Sequence, residues 1–147
     1  MIEKIEHDGS MLALIVRREF REPGITFFTS DELSQQLAYM RHPAGKQISP
    51  HVHKEVTRQV FNTQEALFIK SGKVRVDFYT VDQNYVGSRI LRGGDVILLV
   101  SGGHGFEILE EAEMIEVKQG PYVGTDDKVR FDGVAADDVV VSHGHDL

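Results

Sequence analysis

Three histidines and one glutamate are the side chains of this sequence best suited to hold a metal ion: His51, His53, Glu65 and His104. Each lies in a short segment with the composition of a β-strand. Alternate side chains of a strand point to the same face, roughly 6.5–7 Å apart, so His51 and His53 can meet one ion. Three imidazoles and a carboxylate suit iron(II), manganese, nickel, copper(II) or zinc. Such a ligand set leaves coordination positions free for water, oxygen or substrate.

The simpler interpretation of any single histidine is a surface residue or a hydrogen-bonded core residue, and we apply it to His7 and His42. It is weaker for His51 and His53, because two imidazoles on one buried face need partners. An unpaired buried polar group costs roughly 1–3 kcal/mol, whereas a divalent ion would partner both rings. The spacing therefore indicates a possible metal site at His51 and His53 and leaves the simpler interpretation equally open.

The order of these residues resembles the two motifs of the cupin superfamily. Gly45, five further residues and then His51-Val52-His53 match the start of the first motif, and Glu65 followed by Gly72 matches its end. Gly94-Asp95 followed by His104 is similar to the second motif. The resemblance covers roughly residues 40 to 118, with residues 54–64 inserted between the histidine pair and Glu65. It implies a double-stranded β-helix barrel in which His51, His53, Glu65 and His104 bind the metal.

Strand patterns that would position these residues dominate the chain. Val74-Arg75-Val76-Asp77-Phe78 alternates apolar and polar side chains, and the apolar run from Val96 to Val100 predicts a strand buried on both faces. Glycine- and proline-containing turns separate the runs, and Ser71-Gly72-Lys73 reads as one of them. We therefore predict an all-β, cupin-type jelly-roll barrel with at most a short helical turn near residues 30–36. The domain prediction is a single barrel over residues 1–124 and a C-terminal tail, weakly structured or docked, over residues 125–147. The strands are predicted at residues 12–16, 25–28, 37–40, around His51 and His53, and at 65–70, 74–79, 85–91, 96–100, 104–108 and 112–118.

Composition excludes several classes of function. The 147 residues carry a net charge of −7 and show no basic stripe, so we expect no nucleic-acid partner. No cysteine is present, which excludes disulfides, thiolate metal sites and a cysteine nucleophile. The first residues lack the apolar core of a signal peptide, and no apolar run is long enough for a membrane span. We expect a cytoplasmic protein with no membrane partner. The resemblance implies a homodimer, with residues 12–16 as a candidate exchanged edge strand; a strand paired within the chain is the alternative.

The leading functional hypothesis is a metal-dependent cupin that binds or transforms a small polar molecule, a sugar or a small organic acid, in its barrel. If it is an enzyme, dioxygenase or isomerase chemistry is typical of the family. An alternative comes from His51-Val52-His53-Lys54, which resembles a segment of metal-independent nucleotide-sugar ketoisomerases and epimerases. There His51 or His53 would act as the general base. A third hypothesis is a non-catalytic module that binds or senses a small ligand. Lys118 or Arg58, if inside the barrel, would hold a carboxylate or phosphate.

Overall fold

The computed structural model describes residues 1–143, and within them eight β-strands and two short 3-10 segments, Gly124–Asp127 and Ala136–Asp138. The chain divides into two compact units, one of residues 1–20 and 62 onward, the other of residues 21–61. No helix in the described part of the chain is long and apolar enough to cross a membrane. The strands are β1 (Ile2–His7), β2 (Ser10–Val16), β3 (Gly24–Phe27), β4 (Ala38–Arg41), β5 (Glu65–Tyr79), β6 (Tyr85–Arg92), β7 (Val96–Leu99) and β8 (Gly103–Lys118).

The larger unit is built on one antiparallel sheet in the order β1-β2-β7-β5-β6, with β8 added along β5. The sheet is strongly curled and forms a half-barrel, so the all-β prediction is confirmed and the fold is compatible with a barrel or jelly roll. β7 pairs with β2 on one side and with β5 on the other. Its consecutive residues Ile97, Leu98 and Leu99 are all buried, so both faces of the strand are covered, as its uninterrupted apolar sequence predicts. The inner face holds the apolar core, formed by Ile5, Leu12, Ala13, Ile15, Leu67, Ile69, Val76, Phe78, Leu91, Ile97 and Leu99.

β5 and β8 pair along their length and form a two-stranded ribbon, which we call the β5–β8 ribbon. A bend in this ribbon produces much of the curl of the sheet. The register pairs Glu65 with Lys118 near one end and Phe78 with His104 near the other. It shifts repeatedly between residues 69 and 74, where Gly72 adopts φ +82°. Such bulges bend a strand and increase its twist. The turn predicted at residues 71–73 is therefore wrong: the backbone bends there while the ladder to β8 continues, so β5 and β8 are each one long strand.

Ion pairs on the inner face connect β1 and β6, the first and last strands in the order of the sheet. Glu3 of β1 accepts hydrogen bonds from Arg17 at 2.5 Å and from Arg89 of β6 at 3.2 Å. Arg17 also donates to Asp95 at 3.0 Å and to the Ile90 carbonyl at 2.7 Å. Glu3 and Asp95 are both buried, so their charges need these partners. This network, which we call the inner-face ion network, ties β1 and the end of β2 to β6.

The strand at residues 12–16, predicted as a candidate edge for exchange between subunits, is internal. β2 pairs with β1 on one side and with β7 on the other. Its hydrogen-bonding edges are therefore already used within the chain, and an exchange at this strand has no support in the register. The homodimer itself stays a prediction.

The described part of the predicted tail belongs to the larger unit and packs against its strands. The Phe131 ring stands edge-on to Tyr79, with ring centroids 5.0 Å apart. Further on, the Ser88 amide donates to the Val140 carbonyl at 2.9 Å, and Ser142 donates back to the Ser88 carbonyl at 3.2 Å. These bonds lay residues 140–142 beside β6. The last four residues of the predicted tail, 144–147, lie outside the described part, and the domain boundary predicted at residue 124 stays a prediction.

The smaller unit contains a two-stranded hairpin, β3–β4, in which Ile25 pairs with Met40. Near residues 30–36, where at most a short helical turn is predicted, the chain forms no helix. A single backbone bond from Leu33 to Ser30 closes a turn, and the Gln36 side chain donates to the carbonyls of Ser30 and Leu33 at 2.9 and 2.8 Å. The Gln36 side chain thus occupies two carbonyl oxygens that a helix would use as backbone acceptors, and it competes with helix formation.

Candidate functional site

Glu65 and His104 meet on the inner face of the half-barrel. Glu65 is the first residue of β5, and His104 stands opposite Phe78, thirteen positions further along that strand. In a straight ribbon those positions would lie roughly 40 Å apart. The bend brings His104 Nε2 to 3.4 Å from Glu65 Oε2, with side-chain exposures of 29% and 13%. The contact therefore exists because the ribbon curls.

The electrostatics of this pair favour an ionised carboxylate. The hydrogen bond with His104 lowers the pKa of Glu65 and outweighs the opposing effect of burial. The charges of His104, Lys118 and Lys128 lower it further. A carboxylate that stays ionised is what a cation requires as a ligand.

Lys118 is the cross-strand neighbour of Glu65. Its Nζ lies 4.0 Å from Glu65 Oε1 and 3.0 Å from Glu116 Oε1, and the side chain is 31% exposed. The hydrogen bond with Glu116 raises the pKa of Lys118, so it remains an ammonium at neutral pH. Lys118 was one of two cations that the sequence suggested for anion binding, and its register on β8 places it beside the Glu65–His104 pair.

His51 and His53 lie in the smaller unit, in a segment without regular secondary structure. The strand predicted for them is wrong: Pro50 offers no amide hydrogen to a ladder, and within residues 1–143 no strand pairs with this segment. The two imidazoles are exposed, with ring centroids 5.2 Å apart. The i, i+2 spacing thus still brings the rings side by side.

The protonation of His51 follows from its hydrogen bond. Its Nδ1 lies 3.0 Å from the Ser49 carbonyl oxygen, which can only accept, so Nδ1 carries the proton when the ring is neutral. This leaves the lone pair on Nε2. Histidines that ligate metals commonly donate their second nitrogen to a backbone carbonyl in this way.

The four predicted ligands thus form two pairs, one in each unit. No group of three or more histidine, aspartate or glutamate side chains in residues 1–143 is arranged to hold a metal ion. The Glu65–His104 pair itself fits two positions of such a site, since ligand atoms about 2.1 Å from a tetrahedral ion lie about 3.4 Å from each other. The complete four-residue site stays a prediction.

Two further residues need comment. His42 was interpreted from the sequence as a surface or hydrogen-bonded histidine, but its Nε2 is buried and has no hydrogen-bond partner among the described residues. Arg58, the other cation suggested for anion binding, lines a cleft in the smaller unit together with Asp31 and Glu32. Two carboxylates in that cleft make it a poor anion site.

Comparisons with protein-family models, with characterised proteins and with solved structures found no significant match.

Proposed function

We propose that this protein is a cupin-type metal-binding protein that binds or transforms a small polar molecule, a sugar or a small organic acid, in its barrel. The metal ligands would be His51, His53, Glu65 and His104. The observation that carries the proposal is the 3.4 Å approach of His104 Nε2 to Glu65 Oε2. The family motifs predict that these two residues are ligands of one ion. Their side chains meet although the two residues lie near opposite ends of the β5–β8 ribbon.

The donor atoms available to the ion support this proposal. Glu65 supplies an ionised oxygen, and His51 has Nε2 free because Nδ1 donates to Ser49. Nitrogen and oxygen donors without a thiolate suit iron, manganese, nickel, copper or zinc. A bound ion would act as a Lewis acid or redox centre. The chain's own contribution is to hold Glu65 ionised and to fix the ring of His51 by its hydrogen bond to the Ser49 carbonyl.

Elemental analysis tests the proposal. Protein purified without a metal-affinity tag and incubated with each of the five metals should bind about one equivalent. Glu65→Gln and His51→Ala should each reduce the metal affinity about 10- to 100-fold or more. His7→Ala is the matched control, because His7 is a partly exposed histidine outside the proposed ligand set, and it should retain full binding. Wild-type protein that binds none of the metals would overturn the proposal.

The second candidate function is the metal-independent nucleotide-sugar ketoisomerase or epimerase. The observation that favours it is the same His51 tautomer, since a neutral ring with Nε2 unprotonated is able to accept a proton from a carbon beside a ketone. A thermal-shift screen of metal-free protein with nucleotide sugars, followed by product analysis, tests it. Conversion that requires His51 but not Glu65 would favour this candidate, whereas stabilisation without conversion would favour a binding or sensing module.

The proposal also includes a small-molecule ligand, a homodimer and a cytoplasmic location. It includes neither nucleic acid nor a membrane as a partner. The net charge of −7 supports the exclusion of nucleic acid.

A further inference from the structure

The smaller unit contains a cleft of about 540 Å³, which we call the Arg58 cleft. It lies between the end of β3, the turn at residues 31–36 and residues 58–60, and all of its lining residues belong to the smaller unit. Clefts of roughly 300–1,000 Å³ have the size that holds a small molecule. None of the four proposed metal ligands lines this cleft, so a ligand bound there needs no metal.

The turn on one side of the cleft is held in shape by hydrogen bonds. The buried Thr29 hydroxyl donates to the Gln36 side-chain oxygen at 2.7 Å and accepts from the Leu37 amide at 3.2 Å. The Gln36 side-chain amide donates to the Ser30 and Leu33 carbonyls at 2.9 and 2.8 Å. These bonds fix the backbone of the turn before a ligand arrives, so binding there costs little further conformational entropy.

Three charged side chains line the cleft. Asp31 and Glu32 contribute two carboxylates, Arg58 contributes a guanidinium group, and all three side chains are exposed. Within residues 1–143, Arg58 forms no ion pair with either carboxylate. Solvation of three separate surface charges is the competing explanation. Charges of both signs nevertheless line one cavity and do not neutralise each other by direct contact.

Apolar side chains are also exposed in this cleft. Phe27 is 66% exposed and Val60 is 46% exposed, and both line the cleft together with Leu33. Removal of their apolar surface from water is favourable, roughly in proportion to the area that is covered. A ligand that fits this cleft therefore has an apolar portion as well as charged groups.

A zwitterion with an apolar side chain matches all of these groups. A simple amine would pair with the two carboxylates but would place its positive charge near the Arg58 guanidinium, and a simple acid would meet the two carboxylates. In an amino acid, the ammonium group can donate to the carboxylates of Asp31 and Glu32. The carboxylate of the same ligand can accept two hydrogen bonds from the planar guanidinium.

We infer that the Arg58 cleft binds a small zwitterion, an amino acid with an apolar side chain. Asp31 and Glu32 bind its ammonium group, Arg58 binds its carboxylate, and Phe27 and Val60 cover its side chain. This site lies outside the proposed metal-binding function, in which none of these five residues is a ligand.

Titration of the whole ¹⁵N-labelled chain with four probes tests the inference. L-phenylalanine and L-leucine are zwitterions, phenethylamine lacks the carboxylate, and phenylacetate lacks the ammonium group. EDTA in the buffer removes metal that the amino acids would otherwise chelate. We expect at least one amino acid to shift the amide signals of residues 31–36 and 58–60 in a saturable way. Phenethylamine should bind more weakly than phenylalanine, and phenylacetate should not bind.

Substitution of the two carboxylates separates a binding site from a solvated surface. Asp31→Asn combined with Glu32→Gln should weaken amino-acid binding about tenfold or more, as loss of charge-assisted hydrogen bonds predicts. Glu22→Gln combined with Glu55→Gln is the matched control. It removes the same charge from exposed carboxylates of the same unit that do not line the cleft, so affinity should be unchanged.

Substitution of Arg58 tests the contact with the ligand carboxylate. Arg58→Met should weaken phenylalanine binding about tenfold or more, whereas phenethylamine should bind equally well or more tightly. Arg41→Met is the matched control, because Arg41 is an exposed arginine of β4 that does not line the cleft, and it should change neither affinity. The amide spectrum of each variant shows directly whether the variant is folded.

Several results would overturn the inference. Neither amino acid shifts these amide signals at millimolar concentration, phenylacetate or phenethylamine binds as tightly as phenylalanine, or amino-acid affinity is equal in wild type and the cleft variants. Binding of an amino acid that is weakened by the cleft substitutions and retained in both controls supports it. Metal binding is measured separately, so neither experiment decides the other.

Discussion

Replacement of Gly72 by alanine should destabilise the protein far more than the same replacement at Gly9. Both glycines have positive φ, +82° and +75°. A non-glycine residue in that region costs about 1–2 kcal/mol. At Gly9 a Cβ meets nothing within 4 Å, so that cost is the whole effect. At Gly72 the Cβ would overlap the Glu111 carbonyl oxygen and lie 2.7 Å from the Ala112 Cα. These are backbone atoms of β8 and cannot rotate away, so repacking adds about 1–3 kcal/mol.

Urea denaturation measures this difference as the free energy of unfolding. We expect a loss of about 2–5 kcal/mol for Gly72→Ala and about 1–2 kcal/mol for Gly9→Ala. Because the bend at Gly72 brings the ends of the ribbon together, the surviving folded Gly72→Ala protein should also bind metal more weakly. Equal destabilisation by the two substitutions would refute the close packing of β8 against Gly72 and the role assigned to the bend.

Three further predictions concern the ion network, the carboxylate and the C-terminal segment. Arg17→Met removes the shared partner of the two buried carboxylates of the inner-face ion network and should cost about 2–4 kcal/mol of unfolding free energy. In the same urea experiment Arg18→Met should cost under about 1 kcal/mol, because the Arg18 side chain is mostly exposed, as is its ion pair with Glu19. Equal losses in the two variants would contradict the importance of the network. The neighbouring imidazole lowers the pKa of Glu65 below 4.5, so in metal-free protein its stabilisation is fully present above about that pH and disappears as pH falls through the lower folded value. The stability advantage of wild type over Glu65→Gln should therefore shrink with acidification, and an advantage that grows would contradict the sign of the shift. Tyr85→Phe removes the hydroxyl that accepts the Val140 amide hydrogen at 2.9 Å. Amide exchange at Val140 should accelerate about fivefold, as loss of about 1 kcal/mol predicts, and unchanged exchange would show that this bond does not hold the segment.

The fold class could be predicted because most strands follow simple hydrophobic patterns. Val74, Val76 and Phe78 alternate inward and are buried, and the apolar run that begins at Val96 lies between two strands. β1 was not predicted, because one of its two buried residues is Glu3, whose charge is balanced by Arg17 and Arg89. Hydrophobic periodicity cannot detect an inward carboxylate whose partners lie elsewhere in the chain.

The arrangement of the candidate site, like the fold, could be predicted from the sequence only in part. Local spacing predicted that His51 and His53 lie side by side, but not that their segment lacks a partner strand, since strand pairing depends on residues distant in sequence. The motif order anticipated that Glu65 and His104 belong together. It could not show how they meet, because the bend at Gly72 resembles an ordinary turn in the sequence. The position of Lys118 beside Glu65 follows from the β5–β8 register, which depends on bulges that carry no clear sequence signal.

X-ray absorption at the metal edge of the loaded protein tests the central claim most directly, because it counts the imidazole rings bound to the ion. The account predicts a shell of nitrogen and oxygen donors about 2.0–2.2 Å from the ion, with the scattering pattern of three imidazoles in wild type and two in His104→Ala. A bound ion with an all-oxygen shell, or an imidazole count unchanged in His104→Ala, would contradict it.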